Sequence, residues 1–304
     1  MASMSGPNTE RQVVLIHGEV CMNLTCLTVE LVEKLHTAFK KEKPVASFVE
    51  QLQAATLPGL VEYGCLRFAF PNQFPPVPRT VADSRLGKGL SDVRSELGIR
   101  QDGPQRGPVK SLQPSPVEFY VLENEADADS TEWNNFCHRF ELGAKRSGFS
   151  DKTAINLQFA LHEMASNAVI HSDATTAALI GYEIRSGNAL FSVVDVGIGV
   201  LASLKTSEAY QNLSRPVDAI QQAMRPGVSR LGRGGLGFAQ VFKAVTNDWG
   251  ELRFRSGNGC IEMDGTGLDH SFDDVKRSYP PALPGFQVSM CCRTESPASN
   301  ETVF

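Results

Sequence analysis

Apolar residues recur with helical spacing between residues 155 and 169. They form a stripe broad enough for a helix that packs against a core. The apolar positions are Ile155, Leu157, Phe159, Leu161, Met164, Ala168 and Val169. The pattern therefore predicts a helix here, and we predict that a second helix over residues 131–148 precedes it.

Strand-forming segments follow this helix along the chain. Residues 176–184 and 189–194 are apolar, β-branched runs on either side of the turn residues 185–188, which predicts a β-hairpin. The other predicted elements of this region are strands at residues 117–122, 249–256, 260–263 and 285–292 and a helix at residues 236–247. Helices would then cover one face of a mixed, largely antiparallel sheet. The predicted fold class is α+β, a two-layer sandwich.

The first 70 residues show a different pattern. It predicts a strand at residues 13–16, a helix at residues 24–39 and a second strand at residues 63–70, a small α/β region with a regulatory or partner-binding role. Residues 71–116 are rich in proline and glycine, which is typical of a linker, although residues 86–99 favour a short helix. We therefore divide the chain into residues 1–70, 71–116 and 117–304.

Composition narrows the class of protein. The chain has 304 residues, 41 % of them hydrophobic, and a formal net charge of −5, so it lacks the overall basic character of a nucleic-acid-binding protein. It contains no apolar run of about 18 residues that could span a membrane. Its polar start is not that of a secretion signal, and its seven cysteines include no Cys-x-x-Cys pair. These features predict a cytoplasmic protein.

The predicted helix 155–169 carries the first candidate chemical group. Glu163 and Asn167 are four residues apart, so they project from one helix face. A carboxylate can accept a proton from an attacking hydroxyl, and an amide oxygen is a suitable ligand for Mg²⁺. Phosphoryl transfer needs both. The same pair is also common on solvated helix faces.

The second candidate group lies where the predicted hairpin ends. Asp195 follows the strand, and Gly197 and Gly199 allow the backbone to turn sharply and approach a ligand. A buried aspartate needs a partner, and the exocyclic amino group of adenine is a good donor to it. An ordinary Asp-x-Gly turn has the same residues.

The third candidate group is a glycine-dense segment, residues 232–238, before the predicted helix 236–247. Backbone N–H groups at the start of a helix can bind phosphate, which is the role we assign to Gly234, Gly235, Leu236 and Gly237. No Gly-Lys-Ser/Thr follows, so this is not a Walker A loop. A flexible loop would have a similar composition.

The order of the three segments resembles that of the GHKL ATPases, the superfamily of DNA gyrase, GHKL-type Hsp chaperones, histidine kinases and MutL. The resemblance covers roughly residues 117–293. Residues 161–171 look like the N box of that superfamily, residues 195–199 like its first glycine box, and residues 232–238 like its second. The Asn-Ala-Val-Ile-His ending of the first segment is most similar to the anti-sigma-factor-like serine kinases.

This resemblance implies a Bergerat-type ATP-binding fold and a role for each residue. Glu163 would be the base, Asn167 would hold Mg²⁺, and Asp195 would bind adenine. Gly197 and Gly199 would belong to the nucleotide-binding site as residues of the first glycine box. The phosphates would contact the following residues of the second glycine box: Arg233, Gly234, Gly235, Leu236 and Gly237. Arg233 stands where relatives usually have a glycine, and Phe286 and Gln287 stand where many have a threonine near adenine.

The resemblance implies an ATP- and Mg²⁺-dependent regulatory protein with a protein partner. In the preferred hypothesis it phosphorylates Ser or Thr of that partner. Two alternatives are an ATP-dependent conformational switch or weak ATPase without phosphoprotein product, and a histidine-kinase-like domain that acts in trans. A module that has lost catalysis and a homodimer also stay open. His162 precedes Glu163 as in a phosphoacceptor box, but no proline follows it, and a residue on the ATP-binding helix could not approach the γ-phosphate freely.

Overall fold

The computed structural model describes residues 14–16, 19–21, 26–41, 45–98, 113–173, 177–225, 228, 250–264 and 275–294. The third candidate segment, residues 232–238, and the predicted helix 236–247 lie outside these residues. Their predicted roles therefore stay predictions.

The N-terminal part is mostly helical. Two short strand pairs frame it: β1 (Val14–Ile16) with β2 (Glu19–Cys21), antiparallel, and β3 (Cys26–Leu27) with β4 (Ala54–Ala55), parallel. The helices are α1 (Val29–Lys40), α2 (Ala46–Val49), α3 (Leu57–Ala69), α4 (Arg79–Ala82) and α5 (Arg85–Gly98).

The remainder is built on a seven-stranded sheet. Its strands are β5 (Val117–Leu122), β6 (Ala178–Arg185), β7 (Asn188–Val194), β8 (Glu251–Gly257), β9 (Gly259–Asp264), β10 (Lys276–Ser278) and β11 (Leu283–Arg293). Its helices are α6 (Thr131–Arg146), α7 (Asp151–Ile170), α8 (Gly199–Lys205) and α9 (Pro216–Ala223), with short 3₁₀ turns at Glu125–Asp129 and Glu208–Tyr210.

The strands lie in the order β10-β9-β8-β11-β7-β6-β5. Each described pair in this sheet is antiparallel, so the prediction of a mixed sheet is wrong for these strands. The α+β class is confirmed. The long strand β11 inserts between β7 and β8 and so brings the end of the hairpin close to the start of the last strand.

Serine residues determine where α6 and α7 begin. The Ser130 hydroxyl accepts a hydrogen bond from the Trp133 amide, and the Ser150 hydroxyl accepts one from the Thr153 amide. Each bond satisfies an amide that has no partner in the first helical turn, which stabilises a helix by about 1 kcal/mol. Both helices fall close to their predicted bounds.

One face of the sheet is covered by α6, α7 and α9. The core on this side is rich in aromatic side chains, and Phe140 packs edge-on against Phe191 with ring centroids 6.0 Å apart. Within residues 117–293, the described helices pack on this face, as the two-layer prediction requires.

The other face of the sheet is covered by the N-terminal helices, so the described residues form three layers rather than two. α3 packs on β6 and β7, and α5 packs on β5. Strand residues alternate between the faces: Leu122 joins the core below α6 and α7, whereas Val117 and Phe119 join the core below α3 and α5. Because both faces are apolar, neither is left to solvent.

The predicted strand at residues 63–70 is wrong, because these residues belong to α3. The Thr56 hydroxyl caps this helix by accepting from the Gly59 amide, and Pro58 occupies its first turn. The helix is buried on nearly every side, so its sequence shows no amphipathic period. A short apolar run of this kind does not distinguish a buried helix from a strand.

Two further N-terminal predictions change in the structure. α1 begins at Val29 rather than at residue 24, because Thr28 caps it. Part of the predicted linker is helical, and Leu86 and Leu90 of α5 are buried in the core that α5 shares with the sheet. Among the described residues, no helix is long and apolar enough to cross a membrane.

Candidate functional site

The helix α7 presents the first pair of candidate residues. Glu163 and Asn167 are both half-buried, one turn apart, on the fourth and fifth turns of the helix. Both side chains are therefore held by a rigid element but keep access to solvent. An amide oxygen and a carboxylate placed in this way can hold a cation and accept a proton, respectively.

His162, next to Glu163, has a structural partner. Its Nδ1 accepts a hydrogen bond from Trp133 Nε1 at 2.9 Å, which ties α7 to α6. With Nδ1 as the acceptor, the proton of the neutral ring is on Nε2. This contact favours a packing role for His162 rather than that of a freely moving phosphoacceptor.

Asp195 directly follows β7 and is 2 % exposed. Its Oδ1 accepts from the Gly197 amide at 2.7 Å, and its own amide donates to the Phe286 carbonyl at 3.0 Å. The first contact is an Asp-x-Gly turn, and the second attaches the turn to β11. The carboxyl group is thus fixed in direction from both sides of the residue.

Burial raises the pKa of Asp195 to about 7, although backbone hydrogen bonds from Gly197 and Phe286 partly oppose the shift. Removal from water disfavours the charged form of a carboxyl group, and these bonds do not fully compensate. A ligand that brings a further N–H donor would stabilise the ionised form. A donor such as an exocyclic amino group could therefore bind the ionised carboxylate.

The turn at residues 195–199 lies on the end of α7. The Ile198 amide donates to the Ser172 carbonyl at 2.7 Å, two residues after the last residue of α7. A Cβ atom at Gly197 would overlap that carbonyl oxygen, so only glycine permits the contact. Gly199 is the first residue of α8.

These contacts bring two of the three candidate segments together. Asn167 lies three residues, roughly 4.5 Å along the helix axis, before the last residue of α7, and Glu163 lies one turn further back. The turn after β7 thus lies against the end of α7, about thirty positions away from Asn167 and Glu163 in sequence. The third segment, with Arg233, Gly234, Gly235, Leu236 and Gly237, lies outside the described residues.

The sequence alone did not identify Ser256 and Gly285, which hold the turn from the other side. The Ser256 hydroxyl accepts from the Val200 amide at 2.9 Å and donates to the Gly285 carbonyl at 2.8 Å. Both residues are far from the turn in sequence, and a lone serine in a strand carries no sequence signal. Only the pairing of β8 with β11 places them here.

Phe286 and Gln287, which stand where relatives of the resembled family often have a threonine, face opposite sides of the sheet. Phe286 packs against Phe254, with ring centroids 5.2 Å apart, in the core below α6 and α7. The Gln287 amide group is buried and donates to the Pro284 carbonyl at 2.8 Å.

The described residues include no cluster of three or more His, Cys, Asp or Glu side chains that could hold a metal ion. A cation at Asn167 would therefore need most of its ligands from phosphate oxygens and water, which is the usual coordination of Mg²⁺ beside a nucleotide. The half-buried amide of Asn167 fits that role. No protein-family model matches the chain, and no curated protein matches its sequence.

Proposed function

We propose that this protein binds ATP with Mg²⁺ and transfers the γ-phosphate to a serine or threonine hydroxyl of a regulatory partner protein. The observation that carries the proposal is the contact between the Asp195 turn and the end of α7, through the Ile198 amide and the Ser172 carbonyl. It joins the turn that holds the buried Asp195 to the end of the helix that carries Glu163 and Asn167, which supports a shared site. The order of the three segments, which resembles that of the GHKL ATPases, supports the same function and a Bergerat-type fold.

At the base end of the site, Asp195 selects adenine. Its carboxylate accepts the exocyclic amino group, and the low exposure of the residue strengthens that hydrogen bond. Guanine presents a carbonyl oxygen at the same position and would face a carboxylate with an acceptor. The site therefore prefers ATP to GTP.

At the phosphate end, Asn167 contributes its amide oxygen to the Mg²⁺ coordination sphere. Bound Mg²⁺ supplies positive charge that offsets the negative charge of the phosphates. Glu163, one helical turn away, orients the acceptor hydroxyl and takes its proton. Backbone N–H groups of residues 234–237 complete the phosphate contacts. Positioning and charge stabilisation contribute most of the catalysis in such a reaction.

Titration and phosphate transfer test this proposal together. We expect the wild-type protein to bind ATP more tightly with Mg²⁺ than without it, and Asp195→Asn to lose most of the affinity. With γ-labelled ATP and an extract of the source cells, label should reach Ser or Thr of a protein and should be lost with Glu163→Gln. Glu132→Gln, an exposed change on α6, is the matched control and should leave transfer intact.

Two outcomes would contradict the proposal. If Asp195→Asn binds ATP as the wild type does, the adenine contact is wrong. If a partner associates in an ATP-dependent way but never acquires label, the protein is a conformational switch rather than a kinase. Unchanged transfer by Glu163→Gln would remove Glu163 from the role of base.

A further inference from the structure

A cluster of buried charges lies between α1, α3 and the sheet, outside the site described above. Arg253 Nη2 and Arg255 Nη1 both donate to Glu33 Oε1, each at 2.6 Å, and Arg253 Nη1 donates to Glu62 Oε1 at 3.0 Å. Arg255 is fully buried and Arg253 nearly so. Two arginines on one strand are thus bound to carboxylates of the two N-terminal helices.

The same strand holds the segment at the start of β11. Arg255 Nη2 donates to the Pro281 carbonyl, and the next residue, Ser256, donates to the Gly285 carbonyl at 2.8 Å. From α1, Lys40 Nζ adds a longer contact of 3.4 Å to the Ala282 carbonyl. Residues 281–285, here called the 281–285 segment, are therefore fixed at both ends by consecutive residues of β8.

The 281–285 segment in turn contacts Asp195. Gly285 has a φ of +71°, and a Cβ atom there would overlap the Asp195 carbonyl oxygen and lie 2.7 Å from Asp195 Oδ1. The Phe286 carbonyl, one residue later, accepts from the Asp195 amide. A shift of this segment would therefore move the carboxyl group or change its surroundings.

We infer that Arg255 and Ser256 are positioning residues for Asp195, and that α1, through Glu33, takes part in adenine recognition. The inference rests on the proposed function and names the regulation of that same site. A buried ion pair as a whole contributes little net stability compared with apolar packing, because the cost of desolvation offsets its attraction. What the cluster supplies is a fixed position for the 281–285 segment. A change in how α1 packs would reach the nucleotide site by this route.

Base selectivity separates positioning from general stability. The dissociation constants of ATP, GTP and inorganic tripolyphosphate are measured for the full chain and for Ser256→Ala, Ser256→Thr and Glu33→Gln. We expect Ser256→Ala to reduce the preference for ATP over GTP by about tenfold, the value of one buried hydrogen bond, with tripolyphosphate affinity unchanged. Ser256→Thr keeps the hydroxyl and should restore the preference. Glu33→Gln, which keeps the side-chain shape, should reduce it by about threefold.

Two controls remove a buried polar contact elsewhere. Ser192→Ala breaks a 2.9 Å hydroxyl contact with Ser289 within the same sheet, and Glu118→Gln weakens the ion pair with Arg139. Both should lower the melting temperature and leave the ATP-to-GTP ratio unchanged. A purely structural role for Ser256 would make Ser256→Ala behave in the same way.

The failures of the two proposals are distinguishable. If Asp195→Asn abolishes the preference for ATP but Ser256→Ala and Glu33→Gln retain it, the positioning role is wrong and the proposed function stands. If Ser256→Ala fails to fold, Glu33→Gln alone tests the inference. An unchanged ratio of ATP to GTP affinity in that variant would contradict the inference, and a reduced ratio would support it. If the wild-type protein binds no ATP, the proposed function fails and this inference fails with it.

Discussion

The two faces of the sheet each bury a cluster of charged side chains, and the clusters differ in how completely their polar atoms are paired. Below α6, both oxygens of Glu118 accept from Arg139, and Oε1 also accepts from the Tyr182 hydroxyl at 2.9 Å. Below α1 and α3, buried polar atoms of Glu62 and Arg255 have no hydrogen-bond partner among the described residues. We call the Glu118 cluster closed, because its buried side-chain polar atoms have hydrogen-bond partners. The cluster around Glu33 and Glu62 is incompletely paired.

This difference indicates different roles. A fully paired buried cluster fixes the relative position of helix and sheet and has nothing further to bind. The incompletely paired cluster lies beside the 281–285 segment and therefore beside Asp195. Asp195 is itself a buried carboxyl group whose pKa lies well above its ordinary value. In this cluster, the incompletely paired groups lie next to the segment that contacts Asp195.

The largest expected effect on stability comes from removing the cation of the closed cluster. Arg139→Met leaves Glu118 buried without its cation and should lower the free energy of unfolding by about 3–5 kcal/mol. Urea denaturation measures it. Arg146→Met, an exposed change on the same helix, is the control and should stay within about 0.5 kcal/mol of the wild type. A loss below about 1 kcal/mol for Arg139→Met would mean that the two clusters do not differ as described.

The next effect has the opposite sign. Asp195→Asn removes a buried ionisable group and keeps an acceptor for the Gly197 amide, so at pH 7 it should stabilise the fold by on the order of 2 kcal/mol. A carboxyl group with a raised folded pKa favours folding most below its unfolded pKa of 3.8 and loses that contribution as the pH rises to about 7. The advantage of the variant should therefore grow across this range and then level off.

Thermal unfolding of the wild type and of Asp195→Asn at pH 4, 5.5, 7 and 8 measures this change in relative stability. The same variant should lose ATP binding, so stability and function would change in opposite directions. Glu163→Gln is the comparison, because this half-buried residue should change activity with little change in stability. Equal stability of Asp195→Asn and wild type at every pH would contradict the burial argument.

Much of the layer below α6 and α7 was predictable from the sequence. The strand at Val117–Leu122 and the hairpin follow from periodicity and turn residues, which are local signals. The layer of N-terminal helices on the other face of the sheet was not predictable in this way. α3 is buried on nearly every side, so its sequence lacks the period that identifies a surface helix.

The candidate site likewise contains residues that local sequence patterns predict and residues that they do not. Glu163, Asn167 and Asp195 were identified because their spacing and the neighbouring glycines are visible in the sequence. Ser256 and Gly285 act through contacts made by long-range strand pairing, which no local pattern encodes. The N-terminal helices reach the site through Glu33 and Arg255, a contact between residues 222 positions apart.

A smaller effect is expected from the incompletely paired cluster. Arg255→Met removes one of two cations on Glu33 and leaves Arg253 in place, so the loss of stability should be about 1–2 kcal/mol, less than for Arg139→Met. Urea denaturation of both variants under one condition gives the comparison. If Arg255→Met destabilises the fold as much as Arg139→Met, the pairing around Glu33 is as complete as that around Glu118.

The smallest effect is a pH dependence of nucleotide affinity. The ionised form of Asp195 is the stronger acceptor for the adenine amino group, so with a pKa of about 7 the affinity for ATP should rise by up to about tenfold between pH 6 and pH 8. Burial also raises the pKa of the nearby Cys65 thiol, which therefore stays neutral over this range and adds no charge. Calorimetric titration at several pH values measures the rise.

ATP itself complicates this measurement, because a terminal phosphate group also titrates at about pH 6. The residual ATP affinity of Asp195→Asn is measured at the same pH values. Because this variant lacks the carboxyl group, its pH dependence reports the phosphate titration alone and is subtracted from that of the wild type. The difference between wild type and variant should rise with pH and level off above pH 8. If wild type and variant show parallel pH profiles, Asp195 does not titrate in the free protein as its burial requires, and the contrast between its site and the closed cluster below α6 loses its electrostatic basis.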